Sequence, residues 1–400
     1  MKRLILAAAL AASLNAYAAE KLAVTVQHDL SIARPSETIT IPWSDVNAVL
    51  PGALIQKIAV KDAKGNVLPY QVTNVAPLAK DPQGVGAAYG ELIFQHSFAA
   101  GEKSASFTVE KIDTVAPVFP VRAFARYVPE RLDDFAWEND KIGHRTYGPA
   151  LAAPSPEGMK KEVLVTSGLD LWFKRVSYPI VDRWYNKGHD HYHKDEGEGM
   201  DMYNVGKSRG AGGTGVWDGK QLYTGVNYAT WKVLANGPVR AIFELHYAAW
   251  DAGGKQVSEV KRFTVDAGHQ LDRIDSTFTY DGGEPITVAV GLNKNPSDKN
   301  QDPSITVKRE GPVLLQWVEQ KSNDAFGTAI VIPGAQGFAQ DNLNELILAK
   351  ATSGKPLRYY AGGAWSRAGE ITSLAQWQKY LQDAAARAGS PVRVTLARQQ

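Results

Sequence analysis

Cysteine is absent from all 400 residues. No disulfide can support the fold, no thiolate can act as a nucleophile, and no lipobox cysteine is there to carry a lipid anchor. Histidine is scarce, with 8 in the chain. Apart from the extreme N-terminus no long apolar run occurs, and none reaches the roughly 20 residues that a membrane-spanning helix needs. Excess charge is missing too: 44 basic residues stand against 42 acidic ones. A balanced chain of this kind carries no signature of nucleic-acid or anionic-membrane binding. The phosphate-loop pattern GxxxxGK[ST] and the nucleophile elbow GxSxG are also absent, so neither a nucleotide or flavin cofactor nor a serine hydrolase is expected.

What is present begins with MKRLILAAALAASLNAYAAE. Lys2 and Arg3 form a basic start, Leu4 to Leu14 an apolar core, and Ala16-Tyr17-Ala18 a small-x-small cleavage site. This is the pattern of a secretory signal peptide over residues 1–18. The expectation is a periplasmic or secreted protein, freed of its leader and left with no net charge once Lys2 and Arg3 are removed. The 10 Trp and 16 Tyr fit either a large core or stacking surfaces for sugars, and composition does not separate the two.

Short alternating runs follow: KLAVTVQH, ETITIPW, IQKIAV, LPYQV, ELIFQHSF and ASFTVEKI, punctuated by turns such as Lys64-Gly65-Asn66 and Pro82-Gln83-Gly84. Period-two alternation at this spacing predicts an antiparallel β-sandwich over residues 19–115. Long strands return in NYATWKVLANGPVRAIFELHYAAWDAGGKQVSEVKRFTVDAGHQLDRIDSTFTY, with turns at Asn236-Gly237-Pro238, Ala252-Gly253-Gly254 and Ala267-Gly268. Together with PITVAVGL, VLLQWVE, GTAIVIP, ELILAKA and LRYYAGGAW they predict an all-β fold whose second part, residues 116–400, is a large antiparallel super-sandwich. TSLAQWQKYLQDAAARAG reads as a short C-terminal helix, capped by Thr372 or Ser373, apolar along Leu374, Trp377 and Leu381, and ended by Gly389.

Between the two β parts, from residue 121 to 220, the alternation degrades into aromatic, charged and glycine-rich sequence. Here long loops that carry function are expected. Three clusters stand out. In NKGHDHYHKDEGEGMD, His189, His191 and His193 occupy alternate positions, and an extended segment would put them on one face. With Glu196 they make a candidate metal set for zinc or manganese. The carboxylates of Asp195, Glu196, Glu198 and Asp201 would suit calcium instead. A metal-free active site with histidine as proton carrier, His191 among them, and a solvated loop that binds nothing are the other readings.

In WENDKIGHRTYGPAL, Glu138, Asp140, His144, Arg145 and Tyr147 fall within ten residues. Arg can hold a carboxylate while His and Tyr exchange protons nearby, which suits a uronate substrate; a structural salt bridge from Arg145 to Glu138 or Asp140 is the alternative. The third cluster, GKSRGAGGTGVWDGK, offers close backbone approach and Trp217 as a stacking surface. Arg183, Trp184 and Tyr203 are further candidates for a saccharide subsite, against core packing as the plainer reading.

WENDKIGHRTYGPAL, the run YHKDEGEGMDMYNVGKSRGAGGTGVWDGK and GPVRAIFELHY together resemble the bacterial family known as domain of unknown function 4861. The resemblance spans nearly the whole chain after the leader. It implies an exported protein that keeps company with enzymes degrading pectin and other uronic-acid polysaccharides. The large sandwich is similar to the galactose-mutarotase-like super-sandwich of mutarotases, polysaccharide lyases and some glycoside hydrolases. The function expected on these grounds is action on acidic saccharides, with β-elimination in the lead. A hydrolase using Glu138 or Asp140 with Glu196, or a saccharide-binding protein without bond cleavage, are the alternatives.

Overall fold

Residue alternation in Lys21–Gln27 sets the pattern of the first layer: Leu22, Val24 and Val26 point inward while Lys21, Ala23 and Thr25 face outward. In the computed structural model, which describes residues 21–73 and 90–399, this strand lies in a four-stranded sheet ordered Arg393–Gln399, Lys21–Gln27, Ser104–Lys111, Ile58–Asp62. A three-stranded sheet of Arg34–Pro42, Glu91–Phe98 and Tyr70–Thr73 packs on it. Ile39, Ile41, Phe94, Phe107 and Val109 fill the space between the two, closed at one end by Trp43 and Val46 of a short helix. The signal segment 1–18 and the turn Pro82-Gln83-Gly84 lie outside the described residues.

The last strand departs from the expected layout. Arg393–Gln399, grouped by sequence order with the large sandwich, pairs residue for residue with Lys21–Gln27 at the far end of the chain. Its alternation puts Val394 and Leu396 against the small core, which suits that place.

The large part is built on an eight-stranded antiparallel sheet. Its order runs Thr230–Ala235, Arg240–Asp251, Gln256–Asp266, Leu271–Tyr280, Pro356–Trp365, Ala325–Val331, Val313–Glu319, Ser304–Glu310. The four strands and three turns read from NYATWKVLA to STFTY fall where the sequence puts them. Two five-stranded sheets lie side by side over one face. One comprises Leu222–Tyr223, Ala211–Trp217, Ile286–Asn293, Asn344–Ala351 and Gly337–Gln340. The other comprises Gly199–Asp201, Asp170–Lys174, Ile142–Thr146, Asp134–Asn139 and Ala123–Val128. A single apolar core of Phe135, Trp137, Leu171, Phe243, Phe263 and Tyr359, among others, joins all three sheets.

This second five-stranded sheet corrects the expectation of long loops over residues 121–220. Its strands are short and carry polar groups on the outward side, so no strict alternation shows. The reason is that both faces are covered: the inner by the eight-stranded sheet, the outer by the helices Val181–Lys187 and His189–Tyr192. A two-sided strand reads as a nearly continuous buried run rather than an alternating one. The helix Leu374–Gly389 starts at Ser373, whose side chain accepts from the Gln376 amide at 3.4 Å, and lays Trp377 and Leu381 on the other face of the eight-stranded sheet.

Candidate functional site

The two polar motifs of the sequence meet on the outer face of the second five-stranded sheet. Strand register brings them together: Arg145 pairs with Asp170 on one side and Ala136 on the other, and Asp201 pairs with Trp172. Asp134, Arg145, Asp170, Trp172 and Asp201 therefore share one face, beneath the two short helices. Arg145, only 6% exposed, donates to Asp170 Oδ2 from Nε at 3.0 Å and from Nη2 at 2.6 Å, and to Asp201 Oδ2 at 2.9 Å. Asp134 Oδ2 stands 3.8 Å from Nη1, and the Tyr147 hydroxyl donates to Asp170 at 3.2 Å. The guanidinium also lies 5.3 Å from the ring centres of Tyr147 and Trp172.

Three carboxylates around one guanidinium, all out of water, cannot all be charged at low cost. Burial, then the neighbouring charge of Asp170, pushes Asp201 well above the usual carboxylate range. Burial raises Asp170 as well, with Arg145 pulling the other way. Asp134 is pushed up to about 7 by burial, against the attraction of Arg145 and Arg131. Burial works against the charge on Arg145, and the surrounding Asp170, Tyr147, Asp201 and Asp134 outweigh it, so the guanidinium stays charged. Burial raises the Tyr147 hydroxyl far beyond any working range. The cluster is a buried network of three carboxyl groups closed around one guanidinium cation.

It reaches the surface through His193. The ring Nδ1 lies 2.9 Å from the Asp201 carbonyl oxygen and 3.9 Å from its carboxylate. A carbonyl oxygen only accepts, so Nδ1 carries the proton and Nε2 presents a lone pair. Opposite it, at 3.2 Å, is Nε2 of His189. Burial, chiefly, lowers the His193 pKa, which favours the neutral ring with its lone pair at Nε2. The side chain is 39% exposed.

The expected row of three imidazoles does not form. Residues 181–187 and 189–192 are helical, not extended, and at 100° per residue positions i and i+4 share a face while i+2 turns away. His189 and His193 therefore meet, and His191 points aside to Glu196, its Nδ1 2.8 Å from the carboxylate. Among the described residues no three His, Asp or Glu side chains gather in a way that could hold a metal. The pair that remains has a suitable spacing: two nitrogens on one tetrahedral zinc stand about 3.3 Å apart.

The other candidates are placed elsewhere. His144 lies on the inner face, in the core, stacked 5.1 Å over Trp137 at an interplanar angle of 2° and 3.4 Å from Asp272; burial lowers its pKa to about 3. Glu138 is equally buried. It accepts from Lys174 Nζ at 2.6 Å and from the Ile180 and Val181 amides at 2.8 Å, so it anchors the start of the helix Val181–Lys187 rather than facing a cleft. Trp184 is packed against Trp172 at 5.2 Å, and Tyr203 is in the core near Phe326. Arg183 is on the surface, bound to Glu198 and lying 5.2 Å from the Tyr178 ring. Trp217 ends a strand of the other five-stranded sheet and is half-exposed. Asp140, named for a hydrolase pair, binds Arg122 and the Gly268 amide.

Asp134 and Asp170 escaped the reading of the sequence. A signal was available: DLWFK places Asp170 and Lys174 at the two ends of an otherwise apolar strand and on the same face, and charge in such a run marks a buried polar face.

Three comparisons bear on this geometry. Residues 26–394 match the family described as Domain of unknown function (DUF4861). A protein of Formosa agariphila, "Uncharacterized protein P7", is 31% identical over 404 residues, covering 98% of each chain. Among solved structures, an alpha-mannosidase from Enterococcus faecalis superposes with a TM-score of 0.50 at 9% identity, over 94% of this chain and 46% of the mannosidase. A second structure from that organism, of a glycosyl hydrolase family 38 protein, gives 0.48 at 9% identity over 94% and 47%. The chain thus spans about half the length of the solved structures it matches, and at this identity the likeness is one of fold.

Proposed function

The chain belongs to the DUF4861 family, and from that premise we propose that it is an exported carbohydrate-active protein that cleaves uronate-containing saccharides by β-elimination. The observation that carries the reading is the His189–His193 pair, seated at the surface over the buried Asp201–Arg145–Asp170 cluster. The sandwich likeness to an alpha-mannosidase supports a saccharide ligand by analogy of fold. The signal-peptide pattern of residues 1–18 supports export to the periplasm or beyond.

In this mechanism His193 Nε2 takes the proton from C5 of the uronate. The electron pair forms the C4–C5 double bond, the bond from C4 to the glycosidic oxygen breaks, and that oxygen takes a proton from the imidazolium or from water. Arg145 does not neutralise the substrate carboxylate, because its charge is already spent on buried aspartates. His189, beside it, is the neighbouring group that would hydrogen-bond the uronate carboxylate. Buried Asp201 fixes the His193 ring and so sets which nitrogen faces the substrate.

The test is a panel of polygalacturonate, alginate and glucuronate-bearing polysaccharide followed in the near ultraviolet. A rise in absorbance from a 4,5-unsaturated product is expected, with at least 100-fold loss in His193→Ala and near-normal rate in His191→Ala. Chelation is expected to leave the rate unchanged, because a divalent ion on the pair would occupy the Nε2 lone pair that takes the proton. Reducing ends without absorbance would replace elimination by hydrolysis. No product from any substrate would leave a saccharide-binding protein, the second reading, which the burial of His144, Arg145, Tyr147 and Glu138 favours.

A further inference from the structure

The eight-stranded sheet turns its uncovered face towards the small domain and the C-terminal helix, and the three do not close on one another. Between them lies a cavity of about 590 Å³, inside the roughly 300–1,000 Å³ usual for small-ligand sites. Six arginines line it: Arg34, Arg240, Arg262, Arg273, Arg358 and Arg387. In a chain with almost no net charge, so many guanidinium groups on one wall need an account.

Half of them are satisfied within the protein. Arg34 binds Glu37 through two nitrogens at 3.0 Å. Arg240 binds Asp266 at 2.5 and 2.7 Å. Arg262 binds Glu244 at 2.8 and 2.6 Å. The other half are not. Arg273 and Arg358 share one carboxylate, Asp275, at 3.3 and 2.7 Å. Among the described residues Arg387 has no carboxylate within ion-pair distance: its ring contact is Tyr380 at 6.0 Å, and one Nη lies 3.4 Å from the Pro35 carbonyl. The Nε of Arg387 is buried without a hydrogen bond, while Arg273 turns its Nε to Asp275 and donates from Nη2 to the Thr264 hydroxyl at 3.1 Å. Glu91 stands on the wall too, beside Arg240 and away from this group. Tyr360, paired in register with Arg273, adds an aromatic face.

We propose that this cleft is a second saccharide site, which binds oligosaccharides bearing carboxylate or sulfate groups through Arg273, Arg358 and Arg387, with Tyr360 against a sugar ring. Two cations on one aspartate, with a third that has no carboxylate partner among the described residues, leave donors and positive charge for an anion, and bidentate geometry suits both carboxylate and sulfate. Burial and the nearby Arg240 and Arg358 lower the pKa of Arg273 despite Asp275, which fits a positive potential at this end. The choice of a saccharide ligand rests on the function proposed above. The site itself does not, because it lies across the sandwich from His193, on the opposite face of the eight-stranded sheet.

Calorimetric titration of the full-length mature protein tests it with trigalacturonate, a sulfated carrageenan oligosaccharide and neutral maltotriose. At least one acidic ligand is expected to bind and maltotriose not. Arg358→Gln with Arg387→Gln should raise Kd at least 10-fold, while Arg358→Lys with Arg387→Lys, which keeps the charge and loses the fork, should keep part of the binding. Arg358 is half-exposed and Arg387 partly so, and equal melting temperatures would show that the Gln variant is folded. Unchanged affinity in the Gln variant, equal binding of maltotriose, or no binding by any ligand would overturn the proposal. Acidic binding at the cleft without cleavage of any substrate would keep this site and remove the lyase.

Discussion

His144 and Arg145 are neighbours in sequence and lie on opposite faces of one strand. The cluster GHRTY gave the right residue types, but which parity faces water depends on what covers each side, and that is set by segments far away in the chain. His144 ends in the core with Asp272, which also accepts from Trp137 Nε1 at 2.7 Å. Burial lowers His144 to about 3 and raises Asp272 to about 7, so the folded pair holds one proton, on the aspartate. The unfolded pair also holds one between about pH 4 and 6.5, on the histidine. The two shifts cancel over that window, and the pair adds no pH dependence to stability there. Asp272→Asn removes one side of the balance. The unfolded state of the variant then binds a proton that the folded state refuses, so its stability rises with pH from about 3 to 6.5 and is lost as pH falls. The expected slope, relative to the parent, is up to about 1.4 kcal/mol per pH unit, read from urea unfolding at several pH values. Parallel curves for variant and parent would refute a neutral His144.

At the scale of elements, the helices Val181–Lys187 and His189–Tyr192 decide the site. Spacing 189, 191, 193 suggested a strand face because alternation is all that a short polar run displays. The helix start is invisible in the sequence: Ile180 is no capping residue, and the helix amides are satisfied by Glu138 from a strand 42 residues away. Trp172, Trp184 and Tyr192 then hold the pair down. Aromatic density in this stretch did forecast burial, while the expectation of long loops over residues 121–220 missed the sheet and helices that are there. Glu138 offers the sharpest contrast between its two readings. As anchor of the helix and partner of Lys174, its loss leaves a buried ammonium and two amides unpaired, so Glu138→Ala should cost about 3–5 kcal/mol of stability. Glu138→Gln, which keeps an acceptor, should cost less. The rate per folded molecule should fall modestly in both, through displacement of His189 and His193. An unchanged melting temperature with a 100-fold or greater loss of rate in Glu138→Gln would instead make it the acid that its motif suggested.

For the molecule as a whole, the long strands, the turns and the C-terminal helix were legible because each has one buried face and so a clean period of 2 or 3.6. Chain closure was not. Consecutive strands are usually neighbours, and nothing in PVRVTLARQQ states that its partner is at the other end of the chain. In the structure Arg393–Gln399 covers the open edge of Lys21–Gln27 along all seven residues. Val392, Val394 and Leu396 pack on the small core. Arg393 binds Asp29 at 2.6 and 2.9 Å, and Arg34 donates to the Ser390 carbonyl at 2.8 Å. Ending the chain at Ser390 removes the strand and leaves the helix and the large sandwich complete. It exposes a seven-residue strand edge, the kind that pairs with other chains, and takes three aliphatic side chains off the small core at about 1 kcal/mol each. The truncated protein is expected to melt in two steps, the small domain several degrees below the parent and the large sandwich near its original temperature. Amides of Lys21–Gln27 should exchange faster, and self-association should rise with concentration. Because the arginine-lined cleft takes Arg34 from the small domain, loosening that domain should weaken acidic oligosaccharide binding while sparing the His193 site across the sandwich. A single transition at the parent temperature would mean that the closing strand contributes nothing to holding the two ends of the chain together.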